Sequence, residues 1–133
     1  MKTFGIDISK WQKGINFDKI KKEGVQFIIL RCAYGRSVDS CFEDFYKQAK
    51  AKGFNVGAYI YTLATTPTAA EAEAEYACGL LKGKQLELPI YFDIEDKRQK
   101  ALSKSYNTTI CKSFCEYMER NGYWAGIYAS KSF

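Results

Sequence analysis

Leu88-Pro89-Ile90-Tyr91-Phe92-Asp93-Ile94-Glu95-Asp96 reads as a buried strand that runs out into acid. Pro89 suits the entry to a strand, and a short apolar run follows it. Side chains alternate faces along a strand, so Asp93 and Glu95 point the same way, with Ile94 opposite. Close like charges push two pKa values apart, leaving one group a protonated acid and the other an anion. Glycoside cleavage needs that division of labour. A strand that simply ends in a solvated acidic turn would show the same residues, and Asp-x-Glu is too short to decide between the two.

The rest of the chain alternates around this stretch. Thr3 to Asp7 reads as a first strand. Asn16 caps a helix from Phe17 to about Glu23, and Gly24 ends it. Gln26 to Arg31 is a near-continuous apolar run, typical of a strand covered on both faces. After a loop with Gly35, residues Phe42, Phe45, Tyr46 and Ala49 recur at helical spacing, and Gly53 closes that helix. Val56 to Tyr61 is a third strand, Ala69 to Leu81 an Ala/Glu-rich helix, and Pro89 to Glu95 the fourth strand. A helix runs from near Asn107 to about Arg120 and stops at Asn121-Gly122, and Tyr123 to Tyr128 is the fifth strand.

Five strands alternating with four helices, at about thirty residues per unit, are the pattern of parallel βαβ units with right-handed crossovers. No G-x-G-x-x-G follows the first strand and no G-x-x-x-x-G-K-[ST] occurs, so nucleotide-binding α/β folds lose support. The expectation is an α/β chain forming a parallel β/α barrel of TIM-like type. Chemistry in such barrels sits at the C-terminal ends of the strands. Polar residues fall at those ends: Asp7, Arg31, Tyr59 and Tyr61, Asp93 and Glu95, and Tyr128.

The 133 residues suit one domain, and 47% hydrophobic with 16% aromatic residues implies a packed core. No apolar run approaches the ~20 residues that span a bilayer, so no membrane partner is expected. Lys2 leads straight into Thr3-Phe4-Gly5-Ile6-Asp7, unlike a secretory signal. A net charge of +5 favours anionic polymers such as nucleic acid or bacterial wall. Lys19, Lys21 and Lys22 are spread along one short helix, which fits a solvated face, and no nucleic-acid partner is expected. Five cysteines, an odd number, argue against a complete disulfide framework. The absence of histidine excludes a Cys/His zinc site and the Ser/His/Asp and Cys/His arrangements. No metal or cofactor is expected. Acid–base work falls to carboxylates, tyrosine or lysine.

Five stretches together resemble the family twenty-five glycoside hydrolases, the Chalaropsis-type lysozymes. Gly5-Ile6-Asp7-Ile8-Ser9-Lys10-Trp11-Gln12 is similar to their opening Asp-x-Ser-x-x-Gln motif. Phe27 to Gly35 resembles their second strand, where Lys-Ala-Thr-Glu-Gly is more usual. Gly57-Ala58-Tyr59-Ile60-Tyr61 resembles the third, with Ile60 where His is common. Leu88 to Glu95 resembles the Leu-Pro-x-x-x-Asp-x-Glu of the fourth. Gly126-Ile127-Tyr128-Ala129-Ser130-Lys131-Ser132-Phe133 resembles the fifth strand and the turn after it.

The resemblance implies residues 1–133 as a single glycoside-hydrolase-like catalytic domain, truncated at its C-terminus, with five of the eight strands that close such a barrel. An open sheet exposes unpaired edges and invites self-association. The implied reaction is hydrolysis of the β-1,4 bond between N-acetylmuramic acid and N-acetylglucosamine, with bacterial peptidoglycan as partner and the cell wall or cell exterior as the place of action. By carry-over, Glu95 is general acid and then base. Asp93 is the anion that orients the substrate's own N-acetyl group for attack, giving retention, and Asp7 supports the site's polarity. Tyr59, Tyr61 and Tyr128 fit sugar-binding walls or packing at the barrel mouth, and Trp11 a subsite aromatic or a loop anchor. Arg31 fits a buried partner of Asp7 or Asp93. Two other readings stay open: a non-catalytic wall-binding or assembly module, and direct attack by Asp93 as nucleophile.

Overall fold

Alternation along the strands divides the protein into an outer, helix-covered face and an inner, concave one. The computed structural model describes residues 4–129. Thr3 of the first expected strand and the Ser130 to Phe133 turn lie outside the described residues. In chain order the elements are β1 (Phe4–Ile8), a 3-10 turn (Lys10–Gln12), α1 (Phe17–Lys22), β2 (Val25–Tyr34), β3 (Ser37–Val38) and α2 (Phe42–Ala51). They continue with β4 (Asn55–Tyr61), α3 (Pro67–Leu81), β5 (Ile90–Ile94), α4 (Lys97–Lys100), α5 (Lys104–Arg120) and β6 (Ala125–Ala129). The sheet order is β1-β2-β4-β5-β6, with every pair parallel, and β3 adds an antiparallel flap on β2. Each strand neighbours the next long strand in sequence, as repeated βαβ units require, and the sheet curls into a half-barrel.

Ile28, Leu30, Val56, Ala58, Ile60, Ile90 and Phe92 form the outer face and are fully buried. Against them pack Phe42 and Phe45 of α2, Ala70, Ala74 and Ala77 of α3, and Ile110, Phe114 and Met118 of α5. The rings of Phe92 and Phe114 stack with centroids 4.4 Å apart. Burial of each large side chain of this kind contributes about 1.5–3 kcal/mol. The helices start where short polar side chains cap free N–H groups. Asn16 accepts from the Lys19 N–H, Thr66 from Ala69, and Ser103 from Tyr106. The Ser103 cap starts α5 three residues before the expected Asn107, which is buried inside the helix and donates to the Gln99 carbonyl.

The second strand departs from expectation. Its apolar run suggested cover on both faces, yet only Ile28 and Leu30 are fully covered. Phe27 and Ile29 are half-buried on the concave side, because that side is a groove and not a filled barrel interior. Two glycines let the concave face pack closely. A Cβ on Gly57 would lie 2.8 Å from Ile29 and 2.9 Å from the Pro89 carbonyl oxygen, and one on Gly126 would lie 2.8 Å from the Tyr91 ring. Among the described residues, β1 and β6 each have a single strand neighbour. Phe4 on β1 and Ile127 and Tyr128 on β6 are exposed.

The five cysteines are free thiols, with Cys32 and Cys41 buried as small apolar residues. No helix among the described residues is long and apolar enough to cross a membrane.

Candidate active site

Strand register builds the site in rows. Arg31 on β2 lies beside Tyr59 on β4, and Tyr59 beside Tyr91 on β5. One row nearer the C-terminal ends, Tyr61 lies beside Asp93, and Asp93 beside Tyr128 on β6. Glu95 follows β5 directly, two residues beyond Asp93 and so on the same face. On the far side, Asp7 of β1 and Trp11 of the 3-10 turn complete the wall. All eight residues singled out from the sequence — Asp7, Trp11, Arg31, Tyr59, Tyr61, Asp93, Glu95 and Tyr128 — line one groove of about 540 Å³. Trp11 and Tyr128 stand at its rim, 75% and 59% exposed, with rings free to meet a ligand.

The carboxyl pair is electrostatically asymmetric. Asp93 is buried, and its Oδ1 has no hydrogen-bond partner among the described residues. Burial, reinforced by hydrogen bonding and charge from Glu95 and by the charge of Asp7, pushes its pKa up to about 8, while Arg31 acts in the opposite direction. The deeper Asp93 therefore keeps its proton well above the usual carboxylate range. An unpartnered buried carboxyl oxygen is costly, and a ligand donor placed against it would relieve that cost. The Tyr59 phenol is likewise pushed up to about 12 by burial, so it stays a neutral hydrogen-bonding group. Tyr61 is raised too, by burial and by its bond to Asp96, whose Oδ2 accepts from the Tyr61 hydroxyl at 3.1 Å.

Arg31 corrects an expectation. It shares the groove with Asp7 and Asp93 but pairs with neither. Its Nε donates to Asp39 Oδ2 at 2.9 Å, and both side chains are buried. A buried guanidinium needs such a partner, and Asp39, on the turn after β3, supplies it.

Several residues of the site were missed in the sequence. Tyr91 lines the groove two residues before Asp93, where strand alternation alone would have placed it. Tyr34 stacks on Tyr61 with centroids 5.0 Å apart and planes 12° from parallel. The register shift between Arg31 and Ala33 sets that pair, and no local pattern announces the shift. Gln99, fully buried, ties two loops together. Its amide donates to the Thr62 and Ala64 carbonyls, and its oxygen accepts from the Asp96 N–H. The turn after the acid pair is thus fixed to the end of β4.

A curled parallel β/α sheet with paired carboxyls and aromatic walls at its C-terminal strand ends has the layout of a sugar-cleaving barrel enzyme. Residues 6–133 match the model of glycosyl hydrolases family 25, and the chain belongs to that family. It is 28% identical to an autolytic lysozyme of Clostridium acetobutylicum over 97% of this chain and 39% of that protein. Among solved structures, the modular autolysin LytC of Streptococcus pneumoniae superposes with a TM-score of 0.86 at 28% identity, over 96% of this chain and 32% of that one. LytC has also been solved in complex with a synthetic peptidoglycan ligand. A muramidase from Acremonium alcalophilum superposes with a TM-score of 0.82 at 27% identity, over 96% of this chain and 65% of the other. The chain thus spans about two fifths of the curated relative and less than two thirds of either solved structure.

Proposed function

We propose that this chain carries the catalytic groove of a peptidoglycan hydrolase that cleaves the β-1,4 bond between N-acetylmuramic acid and N-acetylglucosamine. The observation that carries this reading is the Asp93/Glu95 pair, with a buried, unpartnered Asp93 Oδ1 in a groove walled by aromatic rings. That oxygen suits the N–H of an N-acetyl group on the bound sugar. Family membership and the lysozyme and muramidase relatives support the bond type.

The mechanism follows from the pair's asymmetry. When the acetamido N–H binds Asp93 Oδ1, the charged form of Asp93 is favoured and the Asp93 proton passes to Glu95. Glu95 then protonates the glycosidic oxygen, and the bond from that oxygen to the anomeric carbon breaks. The acetamido carbonyl oxygen bonds to the anomeric carbon, and the resulting positive charge is stabilised by Asp93. Glu95, now an anion, takes a proton from water. The water oxygen displaces the acetamido oxygen, so the two inversions give net retention. Asp7 maintains the negative potential on the β1 side. Tyr59 and Tyr128 provide rings and hydroxyl groups toward the sugar, Tyr61, whose hydroxyl donates to Asp96, provides a ring wall, and Trp11 serves as an outer subsite aromatic. Such an enzyme works at the bacterial wall.

The openness of the groove beside β1 and β6 favours a second reading, a module that holds glycan without cutting it. Product chemistry separates the two. Purified peptidoglycan is incubated with the protein and the new reducing ends are reduced with borohydride. Muramitol is the expected product. Glucosaminitol would assign a different bond, and retention of glycan with no new reducing ends would assign binding alone.

A further inference from the structure

Asp39 accepts three hydrogen bonds from three separate segments, and its side chain is completely buried. Arg31 Nε reaches its Oδ2 at 2.9 Å, the backbone N–H of Lys10 reaches the same oxygen at 3.0 Å, and the backbone N–H of Cys41 reaches Oδ1 at 2.9 Å. Among the described residues, Arg31 is the one cation lining the groove. Lys10 opens the turn that carries Trp11. One buried carboxylate therefore fixes both the cationic wall of the groove and the base of its rim aromatic. Carboxylates with this many donors hold their charge and geometry firmly.

We propose that Asp39 is a positioning residue that anchors Arg31 and the Trp11 turn, and by holding the guanidinium it sets how much positive charge reaches the Asp93/Glu95 pair. The proposal rests on the hydrolase reading for its consequence in catalysis, but its physical content stands on the geometry. Asp93 is faced by Asp7 on β1, Arg31 on β2, Tyr59 and Tyr61 on β4, Glu95 after β5 and Tyr128 on β6. Of these, only Arg31 is a cation. Paired with Asp39, the guanidinium is held where it lies, and burial keeps the Asp93 pKa raised against its pull. Without Asp39, a buried guanidinium is left to the other carboxyl groups of its groove, Asp7, Asp93 and Glu95, and favours their charged forms. That would strip the proton the pair needs for its acid step.

The test is a side-chain carboxyl titration by carbon NMR on the 133-residue chain, comparing wild type with Asp39→Asn. The Asp93 midpoint is expected to fall by about one unit, a tenfold change in acidity. Loss of packing alone would lower stability without moving that midpoint, so an unmoved midpoint in a folded Asp39→Asn protein overturns the proposal. Two further variants decide the matter should Asp39→Asn fail to fold. Arg31→Gln is expected to raise the Asp93 midpoint, and an unmoved value overturns the proposal. Compared with Lys10→Ala, which loses only the ammonium 5.1 Å from the Trp11 ring, Lys10→Pro also removes the N–H that Asp39 holds, at the first position of a turn that tolerates proline after an extended Ser9. It is expected to loosen the Trp11 indole in nitrogen relaxation, and an unchanged order parameter overturns the anchoring role. Peptidoglycan hydrolysis measured on the same samples separates the two readings. An inactive wild type with shifted titrations counts against the hydrolase alone, and an active wild type with unshifted titrations counts against Asp39 alone.

Discussion

Asp93 and Glu95 share one face at the end of β5, and the deeper of the two, Asp93, holds a buried carboxyl oxygen, Oδ1, without a hydrogen-bond partner among the described residues. The outer residues of the same strand, Ile90, Phe92 and Ile94, are buried under the helices. One five-residue strand thus delivers core packing on one side and chemistry on the other, through the period of two alone.

The Asp93 proton makes stability depend on pH. Its ordinary value is 3.8, and in the fold it is pushed up to about 8. The folded protein binds this proton more tightly than the unfolded chain does. Its contribution to stability is therefore complete below about pH 4 and is lost as pH rises through about 8. Urea midpoints should fall between pH 5 and pH 9, and Asp93→Asn should flatten that slope. An equal slope in both proteins would show that Asp93 is not the group responsible.

The outer face is where packing damage should be greatest. Phe92 and Phe114 are both fully buried and stacked on each other. Phe92→Ala removes a ring from the centre of this layer and should cost about 3–5 kcal/mol. Chemical denaturation at constant pH measures it. A loss under about 1 kcal/mol would mean that the strand–helix layer is not the main core.

The concave side and the open edges bear on solution behaviour. β1 and β6 each leave one line of backbone donors and acceptors unpaired among the described residues, with Phe4, Ile127 and Tyr128 exposed beside them. The 133-residue polypeptide should therefore self-associate at micromolar concentration or unfold with a shallow, early transition. Light scattering after size exclusion, with a urea melt, reads both. A strict monomer with a single steep transition would show that these edges are closed in some other way.

Much of this was legible in the sequence, for physical reasons. Asp93 and Glu95 could be paired because strand alternation is local, and the parallel order of β1, β2, β4, β5 and β6 followed from the regular spacing of strands and helices. The location of Tyr59, Tyr61 and Tyr128 followed from the rule that barrel chemistry gathers at strand C-termini. The Asp39 anchor was not legible, since its partners Arg31 and Lys10 lie 8 and 29 residues away in sequence. Its position after a two-residue flap, Ser37–Val38, carries no motif. Arg31 was consequently assigned to Asp7 or Asp93, when a third carboxylate holds it. The half-covered state of Phe27 and Ile29 was hidden too, because an apolar run looks the same whether its second face meets a core or a groove.

The central claim is that Glu95 does the acid–base work on a wall glycan, and release of reducing ends from purified peptidoglycan tests it most directly. Wild type and Glu95→Gln are compared at equal concentration, with circular dichroism to confirm that both are folded. An amide at position 95 can neither give nor take the proton, so the rate should fall at least about a hundredfold while the fold persists. A folded Glu95→Gln protein that releases reducing ends as fast as wild type would contradict the assignment.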